Sequence, residues 1–295
     1  MRRAPGPGVV EYWLNALLVD ASELLPLAEA ADELGFAGIA LADHAVMPEQ
    51  IASSYPGSPN GGPPPWSTAA TWPDVWVTIG ALAARTTRLR FATNVYVLPA
   101  RPPLVTAKAV GTAAALSGDR VVLGVGVGWM AEEFAALDEG FGDRGARTDE
   151  ILAILKQAFD GGVVEWSGQH YAIPRLHLRP APGRPVPIWI GGESAAALAR
   201  AVRLGDGWIS GRSAADVARD VPALRTALAS AGRAREPFEI AASLHGPPRP
   251  EELASWSELG IGHLKVAPWT WSGGGDVPLS RKIEALRVFA NEYLG

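Results

Sequence analysis

The chain has 295 residues, 48% hydrophobic and 19% charged, with a formal net charge of -5 and no cysteine. That balance disfavours a nucleic-acid or anionic-membrane partner, since neither attracts an acidic surface over long range. The missing cysteine excludes disulfides and thiolate chemistry, and five scattered histidines without ligand spacing give no reason to expect a metal.

Along the chain, Arg2 and Arg3 lead into a Pro/Gly-rich start rather than an apolar signal stretch. No run of 18 or more apolar residues follows, so a cytoplasmic protein is expected. Residues 10–18 read as a first strand and 22–34 as an amphipathic helix closed by Gly35. A short buried strand, 38–41, ends at Asp43 and His44. Residues 45–71 form a Pro/Gly-rich loop, and loops of that length are usually lids or binding loops. Then come a helix at 72–85, a strand at 89–98 and a helix at 101–117 stopped by Gly118. The fourth strand, 121–125, is followed by Gly126, Val127 and Gly128, with helices at 130–137 and 148–159. Residues 163–187 read as a Pro-rich insertion with room for a hairpin. Strands at 188–190, 207–210, 238–242 and 263–266 then alternate with helices at 194–204, 213–231, 251–259 and 278–294.

This makes eight β–α units. Continuous apolar runs such as Val121-Val122-Leu123 and Ile188-Trp189-Ile190 indicate strands buried on both faces. The alternation implies a parallel sheet with right-handed crossovers. Eight units in this length favour closure into an α/β (β/α)8 TIM barrel, with a long loop after strand 2 and an insertion after strand 4. An open doubly wound sheet is the alternative.

In such a barrel the chemistry gathers just beyond the strand ends. Asp43 and His44 stand after strand 2, and a histidine there can give or take a proton near neutral pH. The bland alternative is a helix cap beside a surface imidazole. Thr93, Asn94 and Val95 end strand 3. Gly191, Gly192, Glu193 and Ser194 open a helix directly after strand 5, where free N–H groups bind phosphate; Ser194 as a plain cap is the competing reading. The run from Gly124 to Trp129 fails as a dinucleotide fingerprint, because Trp129 replaces the third glycine. Its glycines either clear room for a planar ligand or make a tight turn.

Arg144, Arg147, Asp149 and Glu150 suggest a salt-bridged helix start, with the acidic pair favoured at the N-terminus. Among eleven tryptophans, Trp66, Trp72, Trp76, Trp129, Trp269 and Trp271 fall in or beside mouth loops. They read either as a stacking substrate pocket or as ordinary packing. Motifs for covalent hydrolysis or phosphoryl transfer are absent.

These residues together resemble the luciferase-like monooxygenase superfamily, in its F420-dependent oxidoreductase branch. The densest match runs from Arg90-Phe91-Ala92-Thr93-Asn94-Val95 through Ala107-Lys108, Leu116-Ser117-Gly118, Glu132-Glu133-Phe134 and Arg144 to Glu150. Ala42-Asp43-His44, Gly191-Gly192-Glu193-Ser194 and Gly205-Asp206-Gly207-Trp208 extend it. The resemblance implies one barrel domain over 1–295, commonly a homodimer, holding coenzyme F420 or, alternatively, FMN at its mouth. It implies a cis peptide at Asn94–Val95, and a cofactor bed made of Asp43, Thr93, Asn94, Val95, Gly126, Val127, Gly128, Trp129, Gly191, Gly192, Glu193 and Ser194. His44 is the implied proton donor or substrate orienter.

The implied reaction is hydride transfer between F420 and an apolar organic substrate. An FMN-dependent monooxygenase is the runner-up and a catalytically silent flavin-binding barrel the third reading. One departure stands out. Some relatives carry a catalytic glutamate where this chain has Trp129, which speaks against sugar-phosphate oxidation, and neither Glu132 nor Glu133 can be assumed to replace it. Substrate choice is expected to reside in 45–71, 163–187 and 269–276.

Overall fold

The computed structural model describes residues 10–58, 61–271 and 277–294. Of the expected substrate segments, 59–60 and 272–276 lie outside the described residues. In chain order the elements are β1 (Glu11–Asn15), α1 (Ala21–Leu34), β2 (Gly38–Leu41), α2 (Val75–Arg85), β3 (Arg90–Thr93), β4 (Tyr96–Val97), α3 (Pro103–Ser117), β5 (Val121–Gly126), α4 (Ala131–Ala136) and α5 (Arg144–Phe159). There follow β6 (Val163–Ser167), β7 (Ala172–His177), β8 (Ile188–Gly191), α6 (Ala195–Leu204), β9 (Gly207–Ser213), α7 (Ala214–Ser230), β10 (Glu239–Ser243), α8 (Pro250–Glu258), β11 (His263–Val266) and α9 (Leu279–Tyr293).

Parallel pairing runs β1-β2-β3-β5-β8-β9-β10-β11, and β11 returns to β1. Eight strands therefore close into the expected (β/α)8 barrel. The strand expected at 89–98 is broken into β3 and β4 around a cis peptide at Asn94–Val95, and β4 resumes pairing with β5. The insertion after the fourth barrel strand contains the antiparallel hairpin β6–β7. Among the described residues no helix is long and apolar enough to cross a membrane.

Because the strands alternate sides, each supplies two cores. Leu14, Ile39, Phe91, Leu123 and Ile190 face outward and pack with Leu27, Ile79, Val110 and Leu152 of the helices. Trp13, Ala92, Val122, Trp189, Ile209 and Ala241 fill the barrel interior. Gly38 is required there, since a side chain at that position would collide with the Trp13 ring.

Helix boundaries follow local capping. Asp20 accepts from the Ser22 N–H at the start of α1, and Gly35 ends that helix at φ 90°. Asp74 accepts from the N–H groups of Trp76 and Val77, which moves the start of α2 from the expected 72 to Val75.

One expectation about α5 fails. The helix begins at Arg144, so Asp149 and Glu150 lie in its second turn rather than at its dipole end. Asp149 instead pairs with Arg200 and Arg203. Glu150 accepts from the Trp166 indole and from the N–H groups of His170 and Tyr171, which seats the hairpin on α5. The salt-bridging role expected of this run holds: Arg147 pairs with Glu139 and Asp143.

Candidate functional site at the barrel mouth

The strand ends β2, β3–β4, β5 and β8 bring the sequence-derived residues to one rim. Val95 links them: its γ-methyls lie where side chains on Gly126 and Gly191 would sit, 2.5 and 2.6 Å from the positions their β-carbons would take. The two glycines thus admit Val95 itself, and the loops after β5 and β8 meet across it. Gly128 at φ 81° and Gly192 at φ 105° make the left-handed turns that follow.

Asp43 is buried and holds a bidentate ion pair with Arg101, at 2.7 and 2.8 Å, while accepting from the Val97 N–H at 3.0 Å. Burial pushes its carboxyl up, against the opposing pull of Arg101 and the Val97 N–H. Its carboxylate therefore anchors β4 and the entry to α3. Arg101 went unassigned in the sequence, where only its position before Pro102-Pro103 marks it.

His44 is held differently. Its Nδ1 lies 2.9 Å from Glu133 Oε2, and both side chains are buried. The other carboxylate oxygen of Glu133 accepts from the Ala45 N–H at 2.6 Å. With the carboxylate ionised, Nδ1 carries the proton and donates, leaving the Nε2 lone pair as the working atom. Neighbouring Glu132 accepts from the N–H groups of Ala52 and Ser53, and Ser53 Oγ accepts from the Ala131 N–H. The adjacent glutamates of α4 thus fix the catalytic histidine candidate and the long loop together.

That loop and the turn after β5 build an aromatic enclosure around His44. Trp72 meets the imidazole edge-on at 4.7 Å, Trp129 at 5.9 Å, and Trp66 is tilted at 6.4 Å. Tyr55 bridges Trp66 and Trp129. Trp76 and Trp271 belong elsewhere, packed on Tyr96 and Phe289 respectively, and Trp269 is buried in the main core.

Other predicted residues have structural partners as well. Thr93 Oγ1 donates to the Gly124 carbonyl at 2.7 Å. Gly128 O accepts from Arg144 Nε, and Gly192 O from the Trp208 indole. Ser194 caps α6 by accepting from the Ala197 N–H. Glu193 accepts from Ser210 Oγ at 2.8 Å. Asn94 Oδ1 accepts from Lys265 Nζ at 3.1 Å. Val127 is half-buried in the turn after β5.

A cavity of about 430 Å³ lies on the flank, lined by Pro102, Leu104, Glu139, Arg147, His170 and Tyr171 among others. It includes none of the predicted site residues, and its arginine is already paired.

The mouth suits a flat heterocycle with polar edges. Asn15 Oδ1, at the C-terminal end of β1, and the indole nitrogens of Trp66 and Trp72 are buried without hydrogen-bond partners. Such atoms are uncommon in finished interiors, and others lie away from the mouth, among them Trp76 Nε1, Thr106 Oγ1, His263 Nε2 and Trp271 Nε1. The Asn94, Val95, Gly126, Gly191 and Lys265 side of the mouth would hold the ring.

Comparison with known proteins agrees with this geometry. A family model described as luciferase-like monooxygenase matches residues 6–279. The chain belongs to the luciferase-like monooxygenase family. An uncharacterized protein of Mycobacterium tuberculosis is 35% identical over 281 residues, covering 94% of this chain and 96% of that protein. An F420-dependent glucose-6-phosphate dehydrogenase of Gordonia bronchialis is 30% identical over 193 residues, 64% of this chain and 52% of the dehydrogenase. Among solved structures, the monooxygenase RslO1 of Streptomyces bottropensis superposes with a TM-score of 0.73 at 18% identity, covering 97% of this chain and 99% of that one. The coenzyme F420 dependent tetrahydromethanopterin reductase of Methanopyrus kandleri gives 0.72 at 15% identity, with the same coverage. These two share the barrel fold of this chain.

Proposed function

We propose that this family member moves a hydride between coenzyme F420 and an apolar organic substrate, with His44 handling the accompanying proton. The carrying observation is the buried Glu133–His44 pair, whose imidazole is surrounded by Trp66, Trp72 and Trp129, with Tyr55 bridging two of the indoles. A bound deazaflavin supplies the redox chemistry, and the protein supplies placement and electrostatics. Trp129 makes the wall beside His44 apolar, which favours a hydrocarbon-rich substrate over a sugar phosphate even though one relative bears the name of a sugar-phosphate dehydrogenase. Glu133 is committed to His44 and the Ala45 N–H, so it supports the histidine rather than replacing a glutamate at 129.

The deciding experiment is a titration with F420 and, separately, FMN, followed by quenching of tryptophan emission. Micromolar or tighter binding of F420 with no FMN binding is expected. FMN binding without F420 binding overturns the assignment in favour of a flavin monooxygenase.

We further propose a homodimer. Val77 on α2 and Val105 and Leu116 on α3 are 75%, 63% and 65% exposed, an apolar exposure suited to a second copy. A monomer in sedimentation at tens of micromolar would rule it out.

A further inference from the structure

Helix α4 is six residues long, too short to stand on its own hydrogen bonds. Its N-cap, Met130, has no polar side chain to offer and makes no capping bond. Its buried apolar residue, Phe134, packs with Val97 and Ala100 in a small cluster apart from the main core. Yet this helix carries Glu133, the carboxylate that meets His44. A short helix with an uncapped first turn needs partners from elsewhere to fix where it begins.

The cap comes from 78 residues away. Ser53 Oγ, in the loop after β2, accepts from the Ala131 N–H at 3.0 Å. In return, Glu132 Oε1 accepts from the N–H groups of Ala52 and Ser53 at 2.8 and 3.0 Å. This is the exchange of a capping box, in which a hydroxyl takes a helix N–H and the helix glutamate takes the backbone N–H of the capping residue. Here it joins two distant segments. Two residues past Ser53, the Tyr55 ring meets Trp129 at 5.1 Å, which extends the contact to the residue before the N-cap. The next helix residue, Glu133, then holds His44 Nδ1 at 2.9 Å and the Ala45 N–H at 2.6 Å. The loop is therefore tied to one turn of helix at residue 45 and again at 52–53.

We propose that Ser53 and Glu132 are positioning residues for His44: docking of the loop caps α4, and the capped helix holds Glu133 where it fixes the imidazole. The inference rests on the reading of His44 as the proton-handling group. When the loop undocks, the Ala131 N–H and the Glu132 carboxylate lose their partners together, and a helix of this length frays from that end. Glu133 is its third residue and lies within the fraying turn. Its carboxylate then no longer sets which ring nitrogen of His44 carries the proton. Loop, aromatic wall and proton-handling group are thus assembled as one unit, and the histidine is not set while the loop stands open.

The test is amide hydrogen exchange, read by mass spectrometry on the full chain without cofactor, for wild type, Ser53→Ala and Ser53→Thr. Threonine keeps the accepting oxygen and is the rescue. Glu132→Ala, with Glu132→Gln as its rescue, stands in if Ser53→Ala does not fold. In Ser53→Ala, residues 44–55 and 131–136 are expected to exchange about tenfold faster, together, as the loss of a helix cap implies. Residues 151–158 of α5 should stay as in wild type. The second readout is the His44 Nδ1–H proton in NMR, identified by its loss in His44→Ala. It is expected in wild type and Ser53→Thr, and lost or shifted in Ser53→Ala. Faster exchange in the loop alone, with α4 and the His44 proton as in wild type, overturns the proposal. So does an alanine variant that changes nothing, or a threonine variant that behaves like alanine. Neither readout uses F420, so failure of the F420 titration removes the hydride-transfer reading and is seen separately from failure of this coupling.

Discussion

The two ends of the barrel hold buried ionisable groups in opposite states of compensation. At the N-terminal end, His263 lies 3.2 Å from Glu11 and 3.6 Å from Glu239. Arg90 pairs with Glu11, and the Trp189 indole donates to Glu239 at 2.7 Å. At the C-terminal end, Lys265 has no carboxylate, Asn15 Oδ1 has no donor, and two indole N–H groups have no acceptor. The lower cluster is supplied with carboxylates for its cations, as a stability element at the closed end of a barrel should be, although His263 Nε2 makes no hydrogen bond. The upper one leaves hydrogen-bonding capacity open where a ligand is to complete it. Burial alone therefore does not mark the functional site; a buried cation without a carboxylate separates the upper end from the lower.

The comparison can be broken most sharply at His44. His44→Ala is expected to lower kcat by about 10²–10⁴-fold, the usual worth of a general acid or base, with cofactor affinity nearly unchanged. Normal turnover in that variant would remove proton handling from the upper end.

Next in size is Glu239→Ala at the lower end. It removes one of the two carboxylates of a buried histidine and leaves an indole N–H unpaired, so a stability loss of about 3–5 kcal/mol is expected in urea unfolding. F420 affinity at conditions where the variant is folded should stay as in wild type. A parallel loss of affinity would show that the two ends are not independent.

The smallest effects are those of pH. Burial alone lowers the His263 imidazole, but the hydrogen bonds and charges of Glu11 and Glu239 outweigh it and hold the group above its ordinary 6.5. Its contribution is therefore fully present below about pH 6.5 and is lost as pH rises through the folded value. Lys265, lowered from 10.5 to about 7, acts in the other direction. Between those values the unfolded chain keeps a proton that the native chain has released, so stability rises with pH. Denaturation of wild type, His263→Asn and Lys265→Met from pH 6 to 9 should show the first variant losing the fall and the second losing the rise. Identical pH profiles for all three would erase the distinction between the ends.

Much of the architecture is legible residue by residue. The strand at 38–41 and the strand at 263–266 are found at their expected bounds, the first because it is a short apolar run between turn residues. Gly35 and Gly118 stop α1 and α3 in left-handed conformations. Helical phase is harder to read. Glu132 and Glu133 are neighbours, yet α4 turns one to the loop and the other to His44, and six helical residues are too few for periodicity to say which. The tryptophans divide in the same way: Trp72 and Trp129 reach His44, whereas Trp76 and Trp271 lie against core aromatics. Lys265 went unassigned in the sequence, where it is only a charge inside the strand expected at 263–266.

By itself the chain's pattern determined eight strand–helix units of a parallel sheet, with closure favoured over an open sheet, and an Asp43–His44 pair at a strand end. Those follow from spacing, capping and turn preference, all local. Only the tertiary structure decided which groups work together, because closing the barrel joins distant positions: Arg101 to Asp43 across 58 residues, Glu133 to His44 across 89, and Lys265 to Asn94 across 171. Hydrophobic periodicity specifies that such strands meet, and the side chains that then face one another set the charge at the mouth.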